Sequence, residues 1–282
     1  MSETGFGARL AGAITRHGRL CVGVDPHPEL LEKWALPDSA AGVREFGLLA
    51  VRAAAGLVAI VKPQVAFFER FGSAGYAALE EVIGQARAAG LLVLADAKRG
   101  DIGTSVEAYG QAWLTPGGPL EVDAVTLNPF QGVGALEAPF ALAHSGGKGV
   151  FVLAATSNPE GFDVQRARVI GGPTVSRTIL DEVTAWNRGH VDGNEWGNVG
   201  LVIGATVRLT EFGIDTTPVP LPPVLAPGFG FQGGDAGDLR GIFGGLAPAV
   251  LVSESRSILA SGPDALRVTI ENRVRELEDV RV

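Results

Sequence analysis

The sequence predicts an α/β protein, a (β/α)8 (TIM) barrel. Three observations lead there. Eight short apolar runs recur along the chain and alternate with helical stretches, the rhythm of parallel α/β folds. The alternation occupies about 250 residues, the usual size of such a barrel. Polar residues follow directly on several of the runs, and in a parallel barrel all strand ends converge on one mouth. A doubly wound parallel sheet shares the rhythm and is the alternative. No linker, low-complexity tract or further repeat divides the chain. Residues 1–282 are therefore read as a single barrel domain with a short N-terminal helical segment.

Taken in order, residues 3–17 read as a short helix covering one end of the barrel. The first run, Leu20–Val24, ends in Asp25, and a helix over 42–56 follows with Phe46, Leu49 and Ala53 at helical spacing. The second run, Leu57–Val61, ends in Lys62-Pro63, and the Ala-rich stretch 74–89 is helical. The third, Leu91–Ala95, passes straight into Asp96-Ala97-Lys98-Arg99-Gly100-Asp101. The fourth, Val122–Leu127, ends in Asn128-Pro129, and the fifth, Gly149–Ala154, leads to Thr156-Ser157-Asn158. Thr174 can cap a helix over 174–189. The sixth run is Val199–Ala205. A stiff Pro-rich loop, 218–223, precedes the seventh, Val224–Pro227, and a glycine cluster follows it. The eighth, Ala249–Ser253, leads to Glu254-Ser255-Arg256-Ser257, and a last amphipathic helix over 263–278 is opened by Pro263 and Asp264.

Composition narrows the function. With 46% hydrophobic and 19% charged residues the chain can bury a large core. A net charge of −8 disfavours nucleic acid as a partner, because that needs a basic surface. It leaves room for a small anion held by local cations. No apolar run approaches the ~18 residues of a membrane span, and the first residues do not form a basic-then-apolar leader, so no membrane partner and a cytoplasmic location are expected. Cys21 is the single cysteine and sits in an apolar run, which favours a buried small hydrophobe over a nucleophile. The four histidines are scattered without ligand spacing, so no metal is expected.

The chemistry concentrates at the strand ends. Asp96 and Lys98 are two residues apart and point the same way if the strand continues. Asp101 follows three residues later, after a glycine that lets the chain turn, so a cation is placed between two carboxylates. A lone pair of this kind is often a structural salt bridge. Lys62 and Asp25 at neighbouring strand ends make an alternating charge network the fuller reading, since lysine is rarely buried without partners. Asn128 before Pro129 reads equally as a turn former. The cluster Pro227-Gly228-Phe229-Gly230-Phe231-Gln232-Gly233-Gly234-Asp235 matches G-x-G-x-x-G, yet too late in the chain for a dinucleotide fingerprint. It reads as an anion cradle of backbone N–H groups, with a helix N-terminus near Asp235. Arg256 after the eighth run can grip a phosphate with two parallel hydrogen bonds, and loops seven and eight are where barrels bind phosphate.

These residues resemble a known family. Asp96-x-Lys98-x-x-Asp101-Ile102 is similar to the D-x-K-x-x-D-I signature of the orotidine 5′-phosphate decarboxylases, and Asp25, Lys62, Pro227–Gly234 and Arg256-Ser257-Ile258 match its other charged and phosphate-gripping positions. Ala97-Lys98-Arg99-Gly100-Asp101-Ile102-Gly103 and Asn128-Pro129 resemble the mycobacterial-type (type 2) branch most closely. The resemblance runs from about residue 20 to 260. It implies decarboxylation of orotidine 5′-phosphate to UMP and CO2, the last step of de novo pyrimidine nucleotide synthesis, without metal or organic cofactor. It implies that Lys98 protonates C6, Asp96 faces the substrate carboxylate, Lys62 bridges Asp96 and the ribose, and Asp25 binds ribose hydroxyls. Ser157 would meet the pyrimidine edge, and Pro227, Gln232, Gly233 and Arg256 the phosphate; Asn128 is a further substrate-binding candidate. Asp101, Ile102 and Ser105 would reach the neighbouring subunit's site in a homodimer. Two positions depart from the family pattern: Ser105 stands where threonine is usual, and Ser255 where glycine is usual before the phosphate arginine. A magnesium-dependent sugar-phosphate enzyme of the same barrel group and a non-catalytic nucleotide-phosphate binder are the alternatives.

Overall fold

The computed structural model describes residues 5–191, 195–215, 217–278 and 280, with Gln232 described by its backbone alone. Eight parallel strands close into a barrel in chain order: β1 (Leu20–Val24), β2 (Ile60–Pro63), β3 (Leu92–Arg99), β4 (Ala124–Leu127), β5 (Gly149–Ala155), β6 (Val199–Ile203), β7 (Val224–Pro227) and β8 (Val250–Glu254). β1 pairs with β8 at Leu20↔Val252, which closes the ring and decides against the doubly wound sheet. The runs are continuously apolar because one face of each strand fills the barrel and the other meets helices.

Side-chain alternation then sets the layers. Cys21, Ile60, Leu94, Ala124, Phe151, Val202, Leu225 and Leu251, one from each strand, pack as a floor inside the barrel. Two residues further along each strand the same interior face carries Gly23, Lys62, Asp96, Thr126, Leu153, Gly204, Pro227 and Ser253. An apolar floor is thus followed by a layer in which Lys62, Asp96, Thr126 and Ser253 are polar, and that layer is the base of the mouth. Burial pushes the Cys21 thiol up to about 12, against the opposing pull of Lys62, so this cysteine is a floor residue and not a nucleophile.

The lower end is stoppered by α1 (Phe6–His17), which packs Phe6, Leu10 and Ala13 against the floor. Phe6 meets Phe151 edge-on at 6.0 Å, and a Cβ on Gly149 would lie 2.3 Å from the Phe6 ring. Arg9 ties the helix to Asp123 at 2.8 Å.

The outer layer follows the strands. After β1 come α2 (Pro28–Lys33) and α3 (Ala40–Ala54), the latter capped by Ser39, which accepts from Gly42 N. After β2 come α4 (Val65–Glu69) and α5 (Gly72–Ala88); after β3, α6 (Gly103–Leu114); after β4, α7 (Glu137–Ser145). After β5 come α8 (Phe162–Arg166) and α9 (Val175–Arg188), and Thr174 caps α9 by accepting from Arg177 N. α10 (Leu239–Phe243) follows β7, and α11 (Arg256–Leu259) and α12 (Leu266–Glu278) follow β8.

The boundaries differ from expectation in places. β2 starts at Ile60, because Leu57 and Val58 still hydrogen-bond back to Ala54 in the turn that ends α3. α12 begins at Leu266, with Pro263 and Asp264 in the preceding turn. α6 has no counterpart in the sequence reading. Among the described residues, no helix is long and apolar enough to cross a membrane.

Candidate active site

A cavity of about 330 Å³ opens at the C-terminal ends of the strands. Lys62 from β2 and Asp96 and Lys98 from β3 line it, with Asp25 from the loop after β1. Lys62 Nζ donates to Asp96 Oδ2 at 3.1 Å and lies 3.7 Å from Asp25 Oδ1. Lys98 Nζ donates to Asp96 Oδ1 at 2.5 Å. The four charges alternate along one wall: Asp25, Lys62, Asp96, Lys98. Two neutral donors complete Asp96: Gln64 Nε2 at 3.1 Å and the Thr126 hydroxyl at 3.0 Å.

The electrostatics follow from burial. Desolvation alone would raise the Asp96 carboxyl, but the ammonium groups of Lys62 and Lys98 outweigh it and hold Asp96 well below the usual carboxylate range. Desolvation alone would likewise lower Lys62, but Asp25 and Asp96 outweigh it and hold the ammonium above its ordinary range. Asp96 and Lys62 therefore stay charged across the neutral range. Asp25 Oδ1 is buried and accepts no hydrogen bond; the cation facing it is Lys62, 3.7 Å away.

The backbone around Lys98 is unusual. Its φ is +48°, a left-handed conformation that a non-glycine residue adopts at a cost of roughly 1–2 kcal/mol. It sits in a bulge, where Ala95 to Arg99 of β3 span only Val125 to Leu127 of β4. Lys98 N donates to the Thr126 hydroxyl at 2.9 Å, which pins the bulge. Thr126 thus holds the Lys98 backbone and the Asp96 carboxylate together. Gly100 is not the turning residue. A Cβ there would lie 2.3 Å from the Asn128 carbonyl oxygen, so its glycine answers a close approach, and the positive φ values fall at Lys98 and Gly103.

The loops after β7 and β8 line another part of this cavity. Pro227, Gly228, Phe229 and Phe231 line the cavity with Ser255, Arg256 and Ser257. Gly228, Gly230 and Gly233 have φ of +112°, +63° and +87°, so the loop curls on glycine, and Gly233 N and Gly234 N donate within it, to the Gly230 and Gly228 carbonyls. Arg256 stacks on Phe231, 4.1 Å from the ring centroid. Asp235 caps a short 3-10 turn before α10 by accepting from Gly237 N, in place of the longer helix start expected there. Ser255 has φ −132° and ψ −80°. A Cβ on Gly23 would lie 2.7 Å from the Ser255 Cβ, so β1 leaves the space that this serine fills.

Seven sequence candidates line this cavity: Asp25, Lys62, Asp96, Lys98, Ser157, Pro227 and Arg256. Others lie elsewhere in the single chain. Asp101 forms no ion pair with Lys98 and accepts from Ile102 N at 2.8 Å, so Lys98 is not flanked by two carboxylates of its own chain. Ile102 and Ser105 are exposed on the outer rim. Asn128 is also exposed and accepts from Phe130 N at 3.1 Å, the turn-forming alternative. Gly233 is exposed outside the lining, and the Gln232 side chain lies outside the described residues. The cavity adds His27, Gln64, Thr156, Asn158, Phe231 and Ser253, which sequence reasoning did not single out. Gln64 could have been found by counting two residues on from Lys62.

Comparison with known proteins gives a consistent picture. The family model described as "Orotidine 5'-phosphate decarboxylase / HUMPS family" matches residues 18–268. A Salinispora arenicola protein named orotidine 5′-phosphate decarboxylase is 53% identical over 278 residues, covering 98% of this chain and 97% of the relative. A Corynebacterium efficiens protein of the same name is 47% identical over 282 residues, covering 98% of each. Among solved structures, a Streptomyces avermitilis protein proposed to be an orotidine 5′-phosphate decarboxylase superposes with a TM-score of 0.92 at 44% identity, covering 99% of this chain and 97% of that one. The Leishmania donovani OMP decarboxylase superposes with a TM-score of 0.75 at 28% identity, covering 98% of each chain. With the barrel, the charge array and these matches together, the chain belongs to the orotidine 5′-phosphate decarboxylase / HUMPS family.

Proposed function

We infer that this enzyme decarboxylates orotidine 5′-phosphate to UMP and CO2, the last step of de novo pyrimidine nucleotide synthesis. The alternating array Asp25–Lys62–Asp96–Lys98, facing a glycine loop and Arg256 across one cavity, carries the inference. The loop and Arg256 hold the phosphate, and Asp25, in the cavity lining, takes the ribose hydroxyls. The pyrimidine lies toward Ser157, with its carboxylate beside Asp96. The C6–carboxylate bond breaks, CO2 departs, and the electron pair stays at C6. The Lys98 ammonium stabilises that charge and transfers a proton to it. The Lys98 side chain is 44% exposed in the free protein, which gives solvent access to restore the proton.

The buried Lys62 ammonium argues for this reading over a magnesium-dependent sugar-phosphate reaction, because it fills the space between Asp25 and Asp96 that a cation would need. We further propose a homodimer in which Asp101, Ile102 and Ser105 complete the partner's site. Support comes from Asp101, which forms no ion pair with Lys98 of its own chain, and from Ile102 at 61% and Phe130 at 81% exposure, apolar side chains on the rim beside it. Assignment to the mycobacterial-type branch, a single domain over 1–282 and a cytoplasmic location complete the proposal; the last accords with the buried free thiol of Cys21. The test is to follow loss of orotidine 5′-phosphate absorbance with EDTA present. Undiminished turnover is expected. Turnover that vanishes with EDTA and returns with magnesium would overturn it.

A further inference from the structure

We propose that Arg273 on the C-terminal helix is a positioning residue for phosphate binding, acting through Glu254. This rests on the phosphate reading of the Gly228–Gly234 loop and Arg256. Glu254 is the last residue of β8 and only 4% exposed, although it is a carboxylate at the edge of a site meant for a phosphate. Such a charge requires a buried partner. Arg273 of α12 supplies it, with Nε donating to Glu254 Oε1 at 2.7 Å. The other oxygen, Oε2, accepts from the Ser257 hydroxyl at 2.8 Å.

Both anion-gripping elements rest on this carboxylate. Ser257 immediately follows Arg256 in the first turn of α11. Gly230 of the loop is seated so closely that a Cβ there would lie 2.8 Å from the Ser257 Oγ and 2.9 Å from Glu254 Oε2. Phe231, next in the loop, carries the Arg256 guanidinium on its ring. Glu254 thus fixes the loop and the arginine relative to one another, and Arg273 neutralises it from behind. Without Arg273, an uncompensated negative charge would stand directly behind the phosphate position. The effect should therefore fall on anion binding and not on the decarboxylation step.

The test compares Arg273→Met, Arg273→Lys and the double variant Arg273→Met/Glu254→Gln in the full-length enzyme. The readouts are KM and kcat for orotidine 5′-phosphate and the Ki of inorganic phosphate as a competitor. Arg273→Met should raise KM and the phosphate Ki together by about tenfold while kcat changes less than about threefold. Arg273→Lys should lie between it and wild type. The double variant should recover most of the loss, because the charge that repels phosphate is gone. This recovery also guards against poor folding of the single variant. A double variant no better than Arg273→Met, or a fall in kcat with phosphate Ki unchanged, would mean that the pair is merely structural and would overturn the proposal. If inorganic phosphate fails to compete even in wild type, the phosphate site itself falls, and the relay with it.

Discussion

Replacing Lys98 with alanine should abolish turnover while leaving UMP binding largely intact. Two contributions are lost. An ammonium ~4 Å from a developing unit charge, at an effective dielectric of ~20, stabilises it by about 4 kcal/mol, or roughly three decades in rate. In the proposed mechanism the same group is the proton donor, and a positioned general acid contributes roughly another two to four decades. A loss of at least about five decades in kcat is therefore expected. The structure also indicates why the variant should fold. Asp96 keeps Lys62, Gln64 and the Thr126 hydroxyl as partners, so it is not stranded. Alanine also relieves the variant of a long side chain, although position 98 keeps its left-handed backbone. UMP should bind within about tenfold of wild type, because the proposed phosphate contacts come from the loops after β7 and β8 and not from β3. Stopped-time absorbance assays give kcat, and calorimetric titration with UMP gives the dissociation constant. Turnover within tenfold of wild type would refute the role of Lys98. Unchanged turnover with lost UMP binding would place the lysine in binding instead.

Two more predictions address the proposed phosphate contacts and the partner. Arg256→Ala should cost about 2–3 kcal/mol in kcat/KM for orotidine 5′-phosphate, roughly 30- to 150-fold, as expected for a lost charge-assisted contact. An equal loss with orotidine, which has no phosphate, would show that Arg256 is not a phosphate ligand. Mixing Lys98→Ala and Asp101→Ala subunits should restore activity that neither has alone. In a shared-site dimer each heterodimer has one intact site, so random exchange restores about a quarter of wild-type activity, whereas no recovery would mean that Asp101 serves its own chain.

The barrel was legible because its strands are buried on both faces and so read as apolar runs. Lys62, Asp96 and Lys98 were legible for the complementary reason: a charge closing such a run has to be explained. The misreadings have equally local causes. Leu57 and Val58 look like strand but are apolar turn residues held by Ala54. α6 carries glycines at 103 and 110 and buries only Val106, Gly110, Trp113 and Leu114, too sparse a face to stand out as helical. Thr126 and Gln64 were hidden as ordinary strand residues, although a count of two along β4 and β2 places them on the interior face. Glu254 and Arg273 are nineteen residues apart on different elements, and no periodicity connects them. The positive φ at Lys98 leaves no mark in the sequence, because only the register against β4 creates it.

The arrangement of charge accounts for why the proposed phosphate contacts and the proposed chemistry sit on different strands. Asp96 is held ionised by two ammonium groups, so it cannot relieve an incoming carboxylate by taking up a proton. A substrate carboxylate beside it is unfavourably placed, and the energy to hold it there has to come from contacts that do not change during the reaction. The proposed phosphate contacts at Arg256 and the glycine loop are of this kind, remote from the proposed position of the reacting carbon. In the proposed reaction, as CO2 leaves, negative charge moves from the carboxylate beside Asp96 to the carbon beside Lys98. Repulsion falls and attraction grows in the same step, which is the differential interaction that accelerates a reaction. Uniform binding at either set of residues alone would not do so. The strained Lys98 backbone, pinned by Thr126, fits this account, since it fixes the ammonium before substrate arrives and leaves little reorganisation for the reaction itself.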